Sequence, residues 1–495
     1  MSFNHRVHTT IAITCLTSLA LATAGYGQNL EGAPVPPSPF VNPVYKYMET
    51  MVKHGRDTYG PEKTGLFLSA LDRKTLKPLE TRPPAPAGVR EIDRPGPKGG
   101  PLVGANLQLD QNLIRLLYFF GWRGEEEPKA ADQALIWFLK NAQSPTTGLL
   151  PWGEHLSWNV MTDQVASGVS TPMHEFSRPW LLWEKCFELA PEESRKFALG
   201  LWNSQVANHD TGAFDRHAPL NKSAPRDGMD FPRHAGFYIR TWAEAYAHTE
   251  DQTFLMAIEV MLTRFENKRH PETGLIEFKK GSSKYVPASS LSMAIDCDGA
   301  ARKVPEPLAT RLANFAARED EIFCSLPHDL KNRKGFVRQA EKASVKLIDE
   351  YTPLWQAKYG GNTTAMMGMM CVSRYENTGK VCYRDLIAAA ADAYLDSLPA
   401  ENVDAWPMTF GHAISLQLAA FRATAQEKYH HRAYVLGEFA MKNFWGDNPL
   451  PRASLKTDHY ESITGADTLV LALEELHLST LHITAIRAPV NTIDR

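Results

Sequence analysis

Apolar positions recur along most of this chain at the spacing of one helix face. Ala131, Ala134, Leu135, Phe138 and Leu139 fall at i, i+3, i+4, i+7 and i+8, and Phe254, Ala257, Ile258, Met261, Leu262 and Phe265 follow the same rule for a further turn. Residues three and four apart share a face of an α-helix, so each segment predicts an amphipathic helix with one buried stripe. Pro191 followed by Glu192 and Glu193 marks another helix start, because proline suits the first helical position and early acids suit the helix dipole. A short turn element separates such stretches: Thr64-Gly65-Leu66, Thr147-Gly148-Leu149, Thr211-Gly212-Ala213, Thr273-Gly274-Leu275 and Thr378-Gly379-Lys380. The glycines are 83, 64, 62 and 105 residues apart, the last interval long enough to hide a degenerate copy. A period of about 60 residues accommodates two antiparallel helices with their loops, the mark of a helical repeat architecture. The expectation is an all-α chain closed into an (α/α) toroid, or barrel, of six or seven helical hairpins.

Two stretches interrupt the pattern. Thr81 to Pro101 is rich in proline and glycine and reads as a long surface loop, and residues 280–338 read as a helical insertion packed over one face. With no second domain boundary in view, residues 25–495 are expected to form a single barrel domain.

Residues 1–24 read differently. His5, Arg6 and His8 precede an apolar stretch from Ile11 that ends in Ala22-Thr23-Ala24. A basic start, a short apolar core and a small-x-small site are the parts of a secretory signal peptide, cut here near Ala24. The apolar run, about 14 residues, is shorter than the roughly 20 needed to cross a bilayer, so no membrane insertion is expected. The protein is therefore expected outside the cytoplasm, in the periplasm or secreted. Composition narrows its partners. Over 495 residues, 53 Lys plus Arg stand against 56 Asp plus Glu, for a net charge of −3, and no charge run resembles a duplex-binding face, so nucleic acid is not expected. Cleavage would leave five cysteines, an odd number. Cys371 and Cys382 are near enough in sequence to pair across a turn, but buried, unpaired thiols are the expectation.

The candidate chemistry is densest between Trp152 and Arg240. Trp152-Gly153-Glu154-His155 follows one Thr-Gly turn, His174-Glu175-Phe176 comes next, and Asp215-Arg216-His217-Ala218 follows another. Loops at one rim of a toroid converge on its centre, so three clusters distant in sequence can surround one ligand. His155, Glu175 and His217 would then form a set of two imidazoles and one carboxylate. Such a mixed nitrogen and oxygen site suits manganese, cobalt, nickel or zinc, whereas calcium normally takes more oxygens.

The run from His174-Glu175-Phe176 through Ala198-Leu199-Gly200-Leu201-Trp202-Asn203 to Phe214-Asp215-Arg216-His217 resembles the core of polysaccharide lyase family 2, the metal-dependent pectate lyases. The likeness covers Gly148 to Leu275. It implies an (α/α) barrel, a divalent metal ion with manganese first among candidates, metal ligands His155, Glu175 and His217, and Arg216 as catalytic base. Two features depart from the family pattern. Ala218 stands where glycine is expected, and a second Arg-His pair, Arg233-His234, follows 17 residues on and is open as an alternative.

The implied partner is an acidic polysaccharide or oligosaccharide, a polymer of the pectate kind. Recognising one calls for cations and flat faces, with Arg178, Arg233, His234, Tyr238 and Trp152 as candidate substrate-binding residues. Arginine is normally protonated, so Tyr238, His234 and His209 stand as alternative bases. Two other readings share the fold class. A glycoside hydrolase needs two carboxylates with separate roles, for which Asp163, Glu175, Asp210, Asp215 and Glu244 are available. A non-catalytic glycan-binding protein would need neither.

Overall fold

The computed structural model describes residues 38–223, 227–483 and 486–495; the signal-peptide pattern at residues 1–24 lies outside the described residues. The unit from Phe40 to Arg495 holds fourteen α-helices among those residues. In chain order these are α1 (Val41–Lys53), α2 (Gln111–Phe119), α3 (Glu126–Trp137), α4 (Trp183–Leu189), α5 (Pro191–Gly200), α6 (Pro232–Thr249) and α7 (Gln252–Asn267). They are followed by α8 (Pro287–Ala301), α9 (Leu308–Ser325), α10 (Thr364–Thr378), α11 (Val381–Asp392), α12 (Pro407–Thr424), α13 (Glu427–Ala440) and α14 (Ala466–Thr480).

They pack as seven pairs: α2 with α3, α4 with α5, α6 with α7, α8 with α9, α10 with α11, α12 with α13, and α14 with α1. The first member of each pair faces inward. From α4 the contacts run through α6, α8, α10, α12 and α14 to α2, and α1 supports α14. This is the (α/α) barrel that the repeat predicted, with seven hairpins.

Burial follows position in the ring. Outer helices hide one stripe: in α7 the buried side chains are Phe254, Ala257, Ile258, Met261, Leu262 and Phe265, the residues picked out by periodicity. Inner helices are enclosed more fully, and every residue of α12 from Thr409 to Ala420 is buried. Such helices can touch only where side chains are small. A Cβ on Gly411 would lie 2.7 Å from the Thr468 carbonyl oxygen of α14. Three inner helices begin with proline: Pro232, Pro287 and Pro407.

The Thr-Gly turns behave as a repeat in four of five places. Gly65, Gly148, Gly212 and Gly274 take left-handed φ values of +65° to +76° after the outer helices α1, α3, α5 and α7. Threonine is used as a tie: the Thr147 and Thr273 hydroxyls donate to the carbonyls of Leu220 and Lys342 at 2.5 and 2.6 Å. Gly379 is different, because it caps the inner helix α10. The degenerate fifth copy is at Gly335, after α9, with φ +122°.

Two expectations are corrected. Residues 280–338 are not an insertion over one face, because they contain α8 and α9, a regular pair whose α8 lies between α6 and α10 in the inner ring. The cysteines do not all stay unpaired. Cys324 of α9 and Cys382 of α11 form a disulfide that ties two outer helices, while Cys186, Cys297 and Cys371 are buried thiols. The pairing partner of Cys382 was hidden from sequence because α9 and α11 become neighbours only when the ring closes.

Candidate metal centre and cavity

The first turns of α6, α8, α10 and α12 open onto one cavity of about 300 Å³, whose walls include Arg233, Ser289, Met366 and Thr409. Helix N-termini carry partial positive charge, so a cavity ringed by them favours an anion. Arg90, Arg178, Arg216, Lys358 and Arg495 add full charges to its lining.

Beside the cavity lie Glu154, His155, Glu175 and His217, each offering one ligand atom within 4.8 Å of the others, and Glu154 and Glu175 reach the cavity lining. Short backbone ladders bring them together. Met173 and His174 pair with Pro219 and Ala218, which sets Glu175 beside His217. Leu156–Asn159 pairs with Gln164–Ser167, and Asn106 Nδ2 donates to the carbonyls of Gly153 and Leu156 at 2.8 and 3.0 Å, fixing the segment that carries Glu154 and His155. Gly153 joins the two pieces. It has φ +99°, and a Cβ there would meet the Glu175 carbonyl oxygen at 2.0 Å, so any side chain would force the ligand segments apart.

His217 Nε2 lies 3.0 Å from Glu175 Oε2 and 3.8 Å from Glu154 Oε2, and His155 Nε2 lies 3.6 Å from Glu154 Oε2. Behind His155, Asp93 Oδ1 stands 3.2 Å from Nδ1, the carboxylate backing that metal-bound histidines commonly have. Arg216 Nη1 donates to Glu154 at 3.1 Å and is ion-paired with Glu175. Arg90 Nη2 donates to Glu154 Oε1 at 2.8 Å while its fork grips Asp93. Burial pushes the Glu154 carboxyl up, but the hydrogen bond from His217 and the charge of Arg216 outweigh it and hold the group well below the usual carboxylate range. Burial pushes the His217 imidazole down, towards the neutral form a metal ligand needs. Both Glu175 oxygens are buried and are held by ion pairs with Arg216 and His217 rather than by aligned hydrogen bonds. A divalent cation fits this donor set of two imidazole nitrogens and two carboxylates, whose negative charge Arg90 and Arg216 balance.

The three predicted ligands thus come together, and Glu154 joins them. Glu154 stood in the Trp152–His155 cluster, so its signal was in the sequence. Asp93 and Arg90, from the Thr81–Pro101 loop, and Tyr359, which hydrogen-bonds Glu154 and lies under the Arg90 guanidinium at 3.2 Å, had no readable signal.

Several predicted substrate contacts are corrected. Trp152 and Tyr238 do not reach the cavity: both are core residues, 1% and 0% exposed. Trp152 packs on Phe138, Phe176 and Phe197, and its indole N–H donates to His174 Nε2 at 3.0 Å. His234 is also fully buried; its Nε2 lies 3.3 Å from Glu175 Oε1, so it backs the carboxylate from the core side and the second Arg-His pair does not replace the first. Aromatic faces at the cavity come instead from Phe231, Phe278, Tyr359 and Trp406. Arg178 and Arg233 do line it; Arg178 Nε pairs with Asp494 at 2.8 Å, and Arg233 has no ion pair among the described residues.

His174, one residue before Glu175, carries a testable consequence. Its Nε2 accepts from Trp152 and its Nδ1 faces Gln205 Oε1 at 2.8 Å, so the ring is neutral, and burial pushes its pKa down to about 4. The unfolded chain takes up this proton near pH 6.5 and the folded one does not, so stability is complete above that pH and falls as the pH drops towards 4. The loss expected is up to about 3 kcal/mol. Thermal unfolding between pH 7 and 4.5 in chelator checks it; an unchanged midpoint would contradict the assignment.

The family model of the periplasmic pectate lyases matches residues 91–290, the part of the chain that supplies Asp93, Glu154, His155, Glu175, Arg216 and His217. A pectate disaccharide-lyase of Dickeya dadantii (strain 3937) is 25% identical over 236 residues, which is 47% of this chain and 40% of that protein's length. Among solved structures, D-mannose isomerase aligns over 91% of this chain and 100% of its own at 11% identity and a TM-score of 0.49. A cellobiose 2-epimerase from Bacillus thermoamylovorans B4167 aligns over 88% and 99% at 11% identity and 0.47. The alpha-1,6-mannanase of Salegentibacter sp. HEL1_6 aligns over 89% and 99% at 8% identity and 0.45. Among the described residues no helix is long and apolar enough to cross a membrane.

Proposed function

We propose that this protein is an exported, metal-dependent lyase that cleaves a uronic-acid polymer of the pectate kind by β-elimination. The observation that carries the reading is the Glu154, His155, Glu175 and His217 cluster, whose two carboxylates open onto an arginine-lined cavity. The family likeness over residues 91–290 supports it. Export rests on the residue pattern of the first 24 positions, and the Cys324–Cys382 disulfide agrees with an oxidising compartment.

Elimination removes the proton at C5 of a uronate, forms the C4–C5 double bond and breaks the C4–O4 bond, and the departing oxygen takes a proton. The C5 proton is very weakly acidic while the adjacent carboxylate is uncompensated. A divalent cation, manganese first among candidates, held by the four cluster residues would supply that compensation as a Lewis acid. This chain's own residues do the rest. Arg178 and Arg233 orient further substrate carboxylates from the cavity wall, where a guanidinium can grip both oxygens. The loops carrying Arg90 and Tyr359, joined by the Tyr359 N–H to the Gly88 carbonyl at 2.9 Å, shield the site from water.

Arg216 is the group assigned to accept the C5 proton. Of the four residues weighed for this role it alone lines the cavity: Tyr238 and His234 are in the core, and His209 stacks on Trp202 at 4.4 Å with its Nε2 on the Trp202 carbonyl. To act, Arg216 must leave Glu154 and Glu175.

Hydrolysis is the second reading, favoured by one observation: the cavity is lined by several carboxylates, Glu154 and Glu175 among them. The test is ultraviolet absorbance of products from a panel of uronate polymers, polygalacturonate first, with and without chelator. Chelator-sensitive growth of the unsaturated-uronate band is the expected outcome. Reducing ends without that band would replace elimination by hydrolysis.

A further inference from the structure

Residues 488–495 have no place in the helical repeat, yet Asn491 and Ile493 are 1% and 0% exposed. Their partners show where they run. Arg115 of α2 donates to the Val490 carbonyl at 3.0 Å, and Asn491 Nδ2 donates to the Thr468 carbonyl of α14 at 3.0 Å. Asp494 accepts from the Thr468 hydroxyl at 3.0 Å and lies 3.1 Å from His412 Nε2 of α12, while Arg178 holds its other oxygen. Arg495 donates to the Ser292 carbonyl and grips Asp296 of α8 at 2.6 and 3.0 Å. Partners on α2, α8, α12 and α14 surround this stretch, so it occupies the centre of the ring. Asp494 and Arg495 emerge as part of the cavity wall, which the rim loops at residues 88–90 and 357–363 also line. Were the segment absent, the cavity would continue into the lumen between those helices.

We infer that residues 488–495 are a lumen plug that sets how many sugars the site accepts. A polymer entering past the rim loops stops against Asp494 and Arg495, so each cut falls a fixed, short distance from a chain end. The floor suits an acidic terminal sugar. Arg233 and Arg495 both lie over the Phe237 ring, at 5.9 and 5.8 Å, and Arg233 is not spent on a carboxylate of the protein. This inference rests on the uronate reading above and adds the mode of attack to it.

The test compares the full chain with a variant lacking residues 488–495. Binding of oligogalacturonates of increasing length is measured by calorimetry in chelator, and product lengths are followed chromatographically in added manganese. In the full chain, affinity should stop rising once the cavity is filled, and the earliest products should already be short. In the variant, the next longer oligomer should gain about tenfold in affinity, and early products should lengthen. If the deletion abolishes cooperative unfolding, Arg495→Ser with Asp296→Asn opens the floor and removes both halves of a buried ion pair, leaving no lone buried charge. Identical length dependence in a folded variant, or long mid-chain fragments from the full chain, would overturn the plug. Length-limited binding without unsaturated product would overturn elimination and leave the plug standing; no binding at any length would overturn both.

Discussion

Replacing His217 by alanine should abolish elimination, with a loss of about 10³-fold or more in rate, because the Lewis-acid contribution it would help to hold is worth several kcal/mol. His217 Nε2 faces both Glu175 and Glu154, so its removal takes a nitrogen donor from the middle of the cluster. The fold should survive, since the ladder of Met173–His174 with Ala218–Pro219 that places His217 uses backbone only. The same variant should lose cation affinity, measured by equilibrium dialysis, by more than the roughly 10–100-fold typical of residues that back a ligand. Asp93→Asn, which alters the carboxylate behind His155 Nδ1, should fall within that smaller range. Chelator-resistant, full activity in His217→Ala would remove the metal assignment altogether.

Arg216→Ala should be nearly as damaging to turnover, by about 10²–10⁴-fold, the usual worth of a positioned proton-transfer group. Its effect on cation binding should have the opposite sign. Arg216 compensates Glu154 and Glu175, so taking it away leaves the cluster more anionic and cation affinity unchanged or higher. Loss of rate with retained or tighter binding distinguishes a proton-transfer role from a ligand's. Arg216→Lys keeps the charge and restores binding balance, but the shorter, non-planar ammonium cannot reproduce the fork, so little activity should return. Wild-type turnover in Arg216→Ala would reassign the base and leave the metal cluster in place.

How these residues were found shows which information is local. Phe254 to Phe265, Ala131 to Leu139 and the Thr-Gly turns were readable because side-chain spacing along a helix and glycine's left-handed turn need only neighbours in sequence. The three polar clusters were readable for a related reason: residues adjacent in the chain, such as Arg216 and His217, travel together wherever the fold carries them. Even so, Glu154 was passed over beside His155, because nothing in a sequence says which of two adjacent side chains turns towards the cavity.

What tertiary structure alone decided concerns residues that meet across long loops. Trp152 and Tyr238 have the size and polarity of sugar-stacking residues, but the packing of aromatic neighbours from several helices draws both into the core, while Phe231, Phe278 and Trp406 take the cavity. Asp93 reaches His155 from 62 positions away, and Cys324 reaches Cys382 across a separation of 58. Asp494 meets Arg178, and Arg495 meets Asp296 across a separation of 199. The sequence by itself determined the helical periodicity of several segments, four of the Thr-Gly turns and which polar residues cluster along the chain, since those are properties of short-range geometry. Closing the ring determined the rest, because burial and pocket exposure depend on contacts that exist only once distant segments share one core.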